Sequence, residues 1–133
     1  MDDLVRWLGV QLNEDERIAR AAGDRWRELS GNWVAVAVEP SSEPAHRVAM
    51  VLVAEGRAHI VRHDPARVLR EIEAKRRALV LHSAPTGHGC STTDETGYNL
   101  NYDEVSPEDA CTTLRLLALP YADRPGFQES WRP

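Results

Sequence analysis

The clearest periodic pattern of apolar positions lies in the middle of the chain, at residues 64–82. Its apolar side chains recur at spacings that place them on one stripe of a helix: Val68, Leu69, Ile72, Leu79 and Val80. Asp64 is a favourable N-cap, and Pro65 suits the first helical position because its missing N–H is not needed there. The pattern therefore predicts a long central helix over about 64–82, packed against a sheet, with Ile72 near the middle of its buried stripe.

Two further helices are predicted at the ends of the chain. An apolar stripe predicts an N-terminal helix over about 3–22, with Asp15 at the edge of the stripe: Leu4, Val5, Trp7, Leu8, Leu12, Ile18, Ala19 and Ala22. The run Ser106-Pro107-Glu108-Asp109 combines a cap, a proline and first-turn acids, and it predicts a C-terminal helix over about 106–119. The aromatic tail, residues 120–133, is expected to pack on the core through Tyr121, Phe127 and Trp131.

Between the first two helices, β-branched segments predict strands within about 32–62. These are Trp33–Glu39, Arg47–Ala54 and Arg57–Arg62, with a tight turn at Glu55-Gly56. Pairing about that turn would place Val51 opposite Ile60 and Leu52 opposite His59. The expected fold class is α+β: a three-stranded antiparallel meander packed with the N-terminal, central and C-terminal helices.

The stretch of about 83–105 has no strong pattern and is predicted to be a loop. We expect it to be mobile, or else ordered by Tyr98, Leu100 and Tyr102 packing on the helices. At 133 residues the chain suits a single domain, 1–133.

Charge and cysteine content narrow the function classes. A net charge of −5 disfavours bulk binding to nucleic acid. The sequence shows neither a signal peptide nor an apolar run long enough to span a membrane, and its two cysteines do not make a disulfide framework. We therefore expect a cytoplasmic protein. The basic residues of the central helix are expected to form a solvated face, with contact to an anion or nucleic acid as the alternative: Arg67, Arg70, Lys75, Arg76 and Arg77.

His82, His88, Cys90 and Cys111 are candidate zinc ligands by residue type. Their spacing matches no standard zinc finger. The competing interpretations are surface histidines with a buried Cys111, or a Cys90–Cys111 disulfide, which a reducing cytosol disfavours. Since the apolar stripes supply a core without metal, the sequence alone favours no bound metal and no cofactor.

Catalytic chemistry has weaker support. His59 and His63 are spaced like a helical metal pair, but on the predicted strand they would stand roughly 13 Å apart, too far for one metal ion. His63-Asp64 resembles a doublet of metal phosphohydrolases, although capping already explains Asp64. A small enzyme using His59, His63 or Cys90 remains an alternative, and no catalytic residue is assigned.

Two longer motifs carry a family resemblance. The run HIVRHDPARVLREIEAKR (His59–Arg76) and the ending CTTLRLLALPYADRPGFQESWRP (Cys111–Pro133) resemble a family of small proteins from actinobacteria and their phages, known only as a domain of unknown function. Members of that family are often cysteine-rich before the final helix, where this chain has Cys90. The resemblance implies a bacterial or phage setting and no activity.

These observations favour a small non-enzymatic interaction or accessory protein. One alternative is a zinc-stabilised regulatory module that contacts nucleic acid through the basic central helix, and the other is the small enzyme above. The partner is expected to be a protein, with a homodimer slightly favoured because Met50, Leu52 and Val61 would lie on the uncovered face of the meander.

Overall fold

A computed structural model describes residues 1–36, 47–85, 87–93, 99–105 and 110–133, and the side chains of these residues except 91–105. The helices are α1 (Asp2–Ala21), α2 (Ala54–Arg62), α3 (Pro65–His82) and α4 (Thr112–Ala118). The strands are β1 (Trp26–Leu29), β2 (Trp33–Val36), β3 (Arg47–Met50), β4 (His88–Thr93) and β5 (Asn99–Val105). Two short 3-10 helices follow α4, at Leu119–Tyr121 and Glu129–Trp131.

The predicted α+β class is confirmed, and so is the antiparallel three-stranded meander. Its strand order is β1-β2-β3, with Leu29 opposite Trp33 and Trp33 opposite Met50. Gly31 and Asn32 both adopt positive φ between β1 and β2, the backbone conformation that glycine and asparagine tolerate best. Strand β1 was not predicted from the sequence, because its WREL segment has charged residues at its centre.

The predicted strand Arg57–Arg62 is wrong, because these residues belong to helix α2. The proposed pairing of Val51 with Ile60 and of Leu52 with His59 therefore does not exist. The guanidinium of Arg57 donates to the carbonyls of Val51 and Leu52, at 2.8 and 3.2 Å, and so reaches back to the segment before the helix. These contacts favour a helix in a segment that is too short for its hydrophobic period to distinguish a helix from a strand.

The predicted loop at 83–105 is also wrong in part, since β4 and β5 form an antiparallel hairpin there, with Cys90 opposite Asp103. The expected contacts of Tyr98, Leu100 and Tyr102 lie outside the described residues and side chains. The predicted cap at Ser106–Asp109 lies outside them too. Helix α4 begins later than expected, at Thr112.

The chain divides into two compact units, and the division falls within α1 and α3. The first unit comprises Met1–Asn13 and Ala74–Pro133, and the second comprises Glu14–Glu73. Single-domain behaviour stays a prediction. The first unit has a buried cluster that unites the N-terminal helix, α4 and the tail: Leu4, Cys111, Leu114, Ala118 and Trp131.

The aromatic tail packs on this cluster as predicted. Tyr121 and Trp131 are buried, and Phe127 packs against the buried residues. The ring of Trp7 packs edge-on against Phe127 and at a tilt against Trp131, with ring centroids 5.7 and 5.3 Å apart. The predicted apolar stripes are buried only in part: Ile72 is 3% exposed, whereas Val80 and Ile18 are 71% and 52% exposed.

Candidate metal centre

Side chains from three places in the first unit converge on one point. His82 is the last residue of α3, His88 and Cys90 lie on β4, and Cys111 immediately precedes α4. The alternation of β4 puts His88 and Cys90 on the same face of the strand, because residues two apart in a strand point the same way. The strand that the sequence analysis missed therefore presents two of the candidate ligands together.

The donor atoms of His82, His88, Cys90 and Cys111 all lie within 4.8 Å of one another. Nδ1 of His82 is 3.3 Å from Nε2 of His88 and 3.5 Å from Sγ of Cys111. Zinc–ligand bonds of about 2.05 Å to nitrogen and about 2.3 Å to sulfur give tetrahedral edges of about 3.3 Å for N···N and about 3.6 Å for N···S. The two separations thus match the edges of a zinc tetrahedron.

The cluster is shielded from solvent without being sealed. Cys111 is buried, and the other three side chains are half-buried. Burial lowers the pKa of His82, and the neighbouring His88 lowers it further. The imidazole is therefore held in the neutral form, which is the form that binds metals.

Burial also raises the pKa of the Cys90 thiol, and nearby Cys111 adds to the rise, while a hydrogen bond with Thr113 opposes it. A thiol in a desolvated site such as that of Cys90 ionises poorly unless a cation compensates the charge. A bound divalent metal would supply that charge and deprotonate both thiols.

Thr113 is a residue that sequence reasoning missed. Its Oγ1 lies 3.9 Å from Sγ of Cys90, within the range of a sulfur hydrogen bond. Such contacts orient metal ligands and tune their basicity. The position of Thr113 two residues after Cys111 gave no signal, since its partner Cys90 is distant in sequence.

The predicted basic residues are mostly engaged with the protein itself. Arg67 pairs with Glu71 at 2.7 Å and also donates to the backbone of Arg62. Lys75 donates to the hydroxyl of Tyr121 at 3.2 Å. Arg76 donates to the side-chain oxygen of Asn13 at 2.7 Å, Arg77 also has interactions, and Arg70 is exposed.

The second unit holds the other candidate residues. His59 lies on α2 and His63 follows it, and their rings are 4.4 Å apart. The expectation that a strand separates them is thus wrong, because one helical turn brings residues four apart together. The predicted capping role of Asp64 is confirmed by its Oδ1, which accepts from the backbone N–H of Arg67 at 2.8 Å.

His63 also lines an open pocket of about 300 Å³ in this unit. Its walls are mostly apolar and include Trp26 and Val68, with Asp15 as the other ionisable residue. Neither His59 nor Cys90 lines it. Of the three residues proposed for the enzyme alternative, this pocket therefore contains His63 and lacks the other two.

Fold and site together define an α+β protein with a clustered His2Cys2 donor set of the type that structural zinc prefers. The chain belongs to a family described only as a family of unknown function (DUF6221), matched over residues 1–133. No curated protein and no solved structure matches it. Among the helices that the structure describes, none has the length and apolar character to span a bilayer.

Proposed function

We propose that the protein is a small non-enzymatic accessory module whose first unit is stabilised by one structural zinc ion, held by His82, His88, Cys90 and Cys111. The observation that carries the proposal is the clustering of all four donor atoms within 4.8 Å. The irregular spacing of these residues along the sequence does not exclude a metal site, since tertiary contacts bring the ligands together.

The composition of the donor set favours zinc over calcium and magnesium. Calcium and magnesium take oxygen ligands, whereas two thiolates and two imidazoles match the ligand types of structural zinc sites. Zinc would link the end of α3, strand β4 and the start of α4. Its binding energy would then add to the folding energy of this unit.

A structural role is favoured over a catalytic one because the four protein ligands would complete a tetrahedron. Catalytic zinc sites keep one position for water or substrate. An open coordination position here would also lie beside a buried hydrophobic cluster, to which Cys111 itself belongs. The proposal therefore assigns the centre to fold stability.

Contact with nucleic acid through the central helix has less support. The net charge is negative, and the described contacts of Arg67, Lys75 and Arg76 are to groups of the protein. Neutralising phosphates would require those side chains to exchange their present partners. The proposal therefore does not include a nucleic-acid partner.

Association with protein is the proposed mode of action, and the occupant we favour is a second copy of the chain. Met50, Leu52 and Val53 are 55%, 76% and 62% exposed, which supports an uncovered apolar surface in the second unit. Val61 is half-buried on α2 and does not belong to that surface. A cytoplasmic location is proposed as well, since free thiols suit a reducing compartment.

Elemental analysis of protein purified without chelator or affinity metal tests the zinc centre. We expect about one zinc per chain, lost in Cys111→Ser and retained in the control His59→Ala, whose histidine lies outside the cluster. Cobalt substitution should give the visible absorption of a tetrahedral thiolate complex. Wild-type protein that contains no zinc and takes up neither metal would refute the proposal.

A further inference from the structure

The two thiols of the candidate centre are close to each other as well as to the histidines. Their Sγ atoms lie within 4.8 Å, and the chain contains no other cysteine. In a zinc tetrahedron two sulfurs stand about 3.8 Å apart. A disulfide needs about 2.05 Å. Small side-chain movements therefore separate the metal-bound state from a covalent one.

We infer that the centre is a zinc–thiolate redox switch, in which a peroxide joins Cys90 to Cys111 and expels the metal. This inference rests on the proposed function. Zinc and the disulfide exclude each other, because both use the same two sulfur atoms. Two imidazoles remain after oxidation, and they do not complete a zinc site.

Exposure sets the order of the chemistry. Cys90 is half-buried, whereas Cys111 is 6% exposed, so a small oxidant reaches Cys90 first. The Cys90 thiolate attacks one oxygen of hydrogen peroxide, the O–O bond breaks, and a sulfenic acid forms as hydroxide leaves. The Cys111 thiolate then attacks the sulfenic sulfur, the S–S bond forms, and a second hydroxide leaves.

Electrons and protons balance over these two reaction steps. The two thiolates give two electrons to the peroxide, each hydroxide takes up a proton to become water, and the zinc ion departs with its charge unchanged. Since Cys90 and Cys111 are the only cysteines, the intramolecular product has a single possible pairing. No third thiol competes within the chain.

The structural consequence differs between the elements that the metal would join. The disulfide keeps β4 attached to the segment that enters α4, because Cys90 and Cys111 belong to those two places. His82, at the end of α3, loses the metal ion that it shared with them. Oxidation therefore removes the metal link to the C-terminal end of α3, next to the exposed side chains of Val80 and Leu81.

The test treats zinc-loaded wild-type protein with hydrogen peroxide and follows released zinc with a chromogenic chelator and free thiols with a thiol reagent. We expect about one zinc released as both thiols disappear, with an intact mass lower by two hydrogens. Peptide mapping should identify the Cys90–Cys111 bond within a monomer. Dithiothreitol followed by zinc should restore the starting state.

Cys90→His is the matched variant, since it keeps a fourth zinc ligand but removes one thiol. It should hold zinc through a peroxide exposure that empties the wild type. Zinc retained by oxidised wild-type protein, sulfinic acids in place of the disulfide, or a disulfide between chains would overturn the switch and leave the zinc site intact. Untreated wild-type protein that contains no zinc and takes up neither zinc nor cobalt would overturn both proposals, which separates the two failures. Peptide mapping of the wild type decides the pairing even if Cys90→His does not fold.

Discussion

Replacing Gly126 by alanine should destabilise the first unit, because this glycine lies where the tail meets Trp7. Its φ is +85°, in the left-handed region that residues with a Cβ disfavour. A Cβ built there would lie 2.9 Å from Nε1 and 3.2 Å from Cδ1 of Trp7. The indole of Trp7 cannot easily move away, since it packs against Phe127 and Trp131 and donates to the carbonyl of Pro125 at 3.0 Å.

The magnitude follows from these contacts. The left-handed conformation costs a residue with a Cβ about 1–2 kcal/mol. Displacing the indole would remove a hydrogen bond whose net value is about 0.5–1.5 kcal/mol. Together they predict a loss of about 1.5–3.5 kcal/mol in the free energy of unfolding for Gly126→Ala.

Gly9→Ala is the matched control, with the opposite expected sign. Gly9 lies inside α1, and a Cβ there would meet nothing within 4 Å. Alanine is favoured over glycine in a helix by about 0.5–1 kcal/mol, so this variant should be more stable than wild type. Urea denaturation of the three proteins measures both changes. A Gly126→Ala midpoint equal to wild type, with an unchanged slope, would refute the packing of the tail on Trp7.

Other consequences are open to simple measurements. Ile72→Ala should lower the free energy of unfolding by about 2–5 kcal/mol, because Ile72 is buried in α3; an unchanged denaturation midpoint would contradict that burial. Asp64→Ala should lower it by about 0.5–2 kcal/mol through loss of the α3 cap, with Asp64→Asn as the variant expected to retain most of it. The folded protein favours neutral His82, so in the presence of a chelator this residue should stabilise the fold above about pH 6.5. That stabilisation should be lost as the pH falls through the lowered pKa of His82, and His82→Gln should remove this part of the pH dependence. Light scattering should give the mass of a dimer, and a monomer mass at high concentration would exclude self-association through the apolar surface around Met50 and Leu52.

Local signals accounted for the helices that the sequence predicted well. The cap at Asp64, the proline after it and the stripe through Ile72 all act within one element, so their meaning does not depend on distant residues. Exposure along the same helices was less predictable, as Val80 and Ile18 show. A stripe marks the apolar side of a helix, but the neighbours that cover it come from elsewhere in the chain.

The short segments were decided by tertiary contacts. Residues 57–62 contain apolar and β-branched side chains compatible with a strand, yet they form α2, where Arg57 pairs with Glu28 of β1 at 3.3 Å. The WREL sequence of β1 has little strand character, but it pairs with β2 along its whole length. In both cases a few residues carry too weak a local preference to resist long-range pairing and packing.

The α+β class, the positions of the long helices and the residue types of a zinc donor set follow from the sequence alone. The shared site of His82, His88, Cys90 and Cys111 depends on tertiary structure. Metal ligation depends on distance in space, and these ligands come from a helix end, a strand and a helix entrance. Their spacing along the chain matches no standard zinc motif, because the end of β4 and all of β5 lie between Cys90 and Cys111 in the sequence.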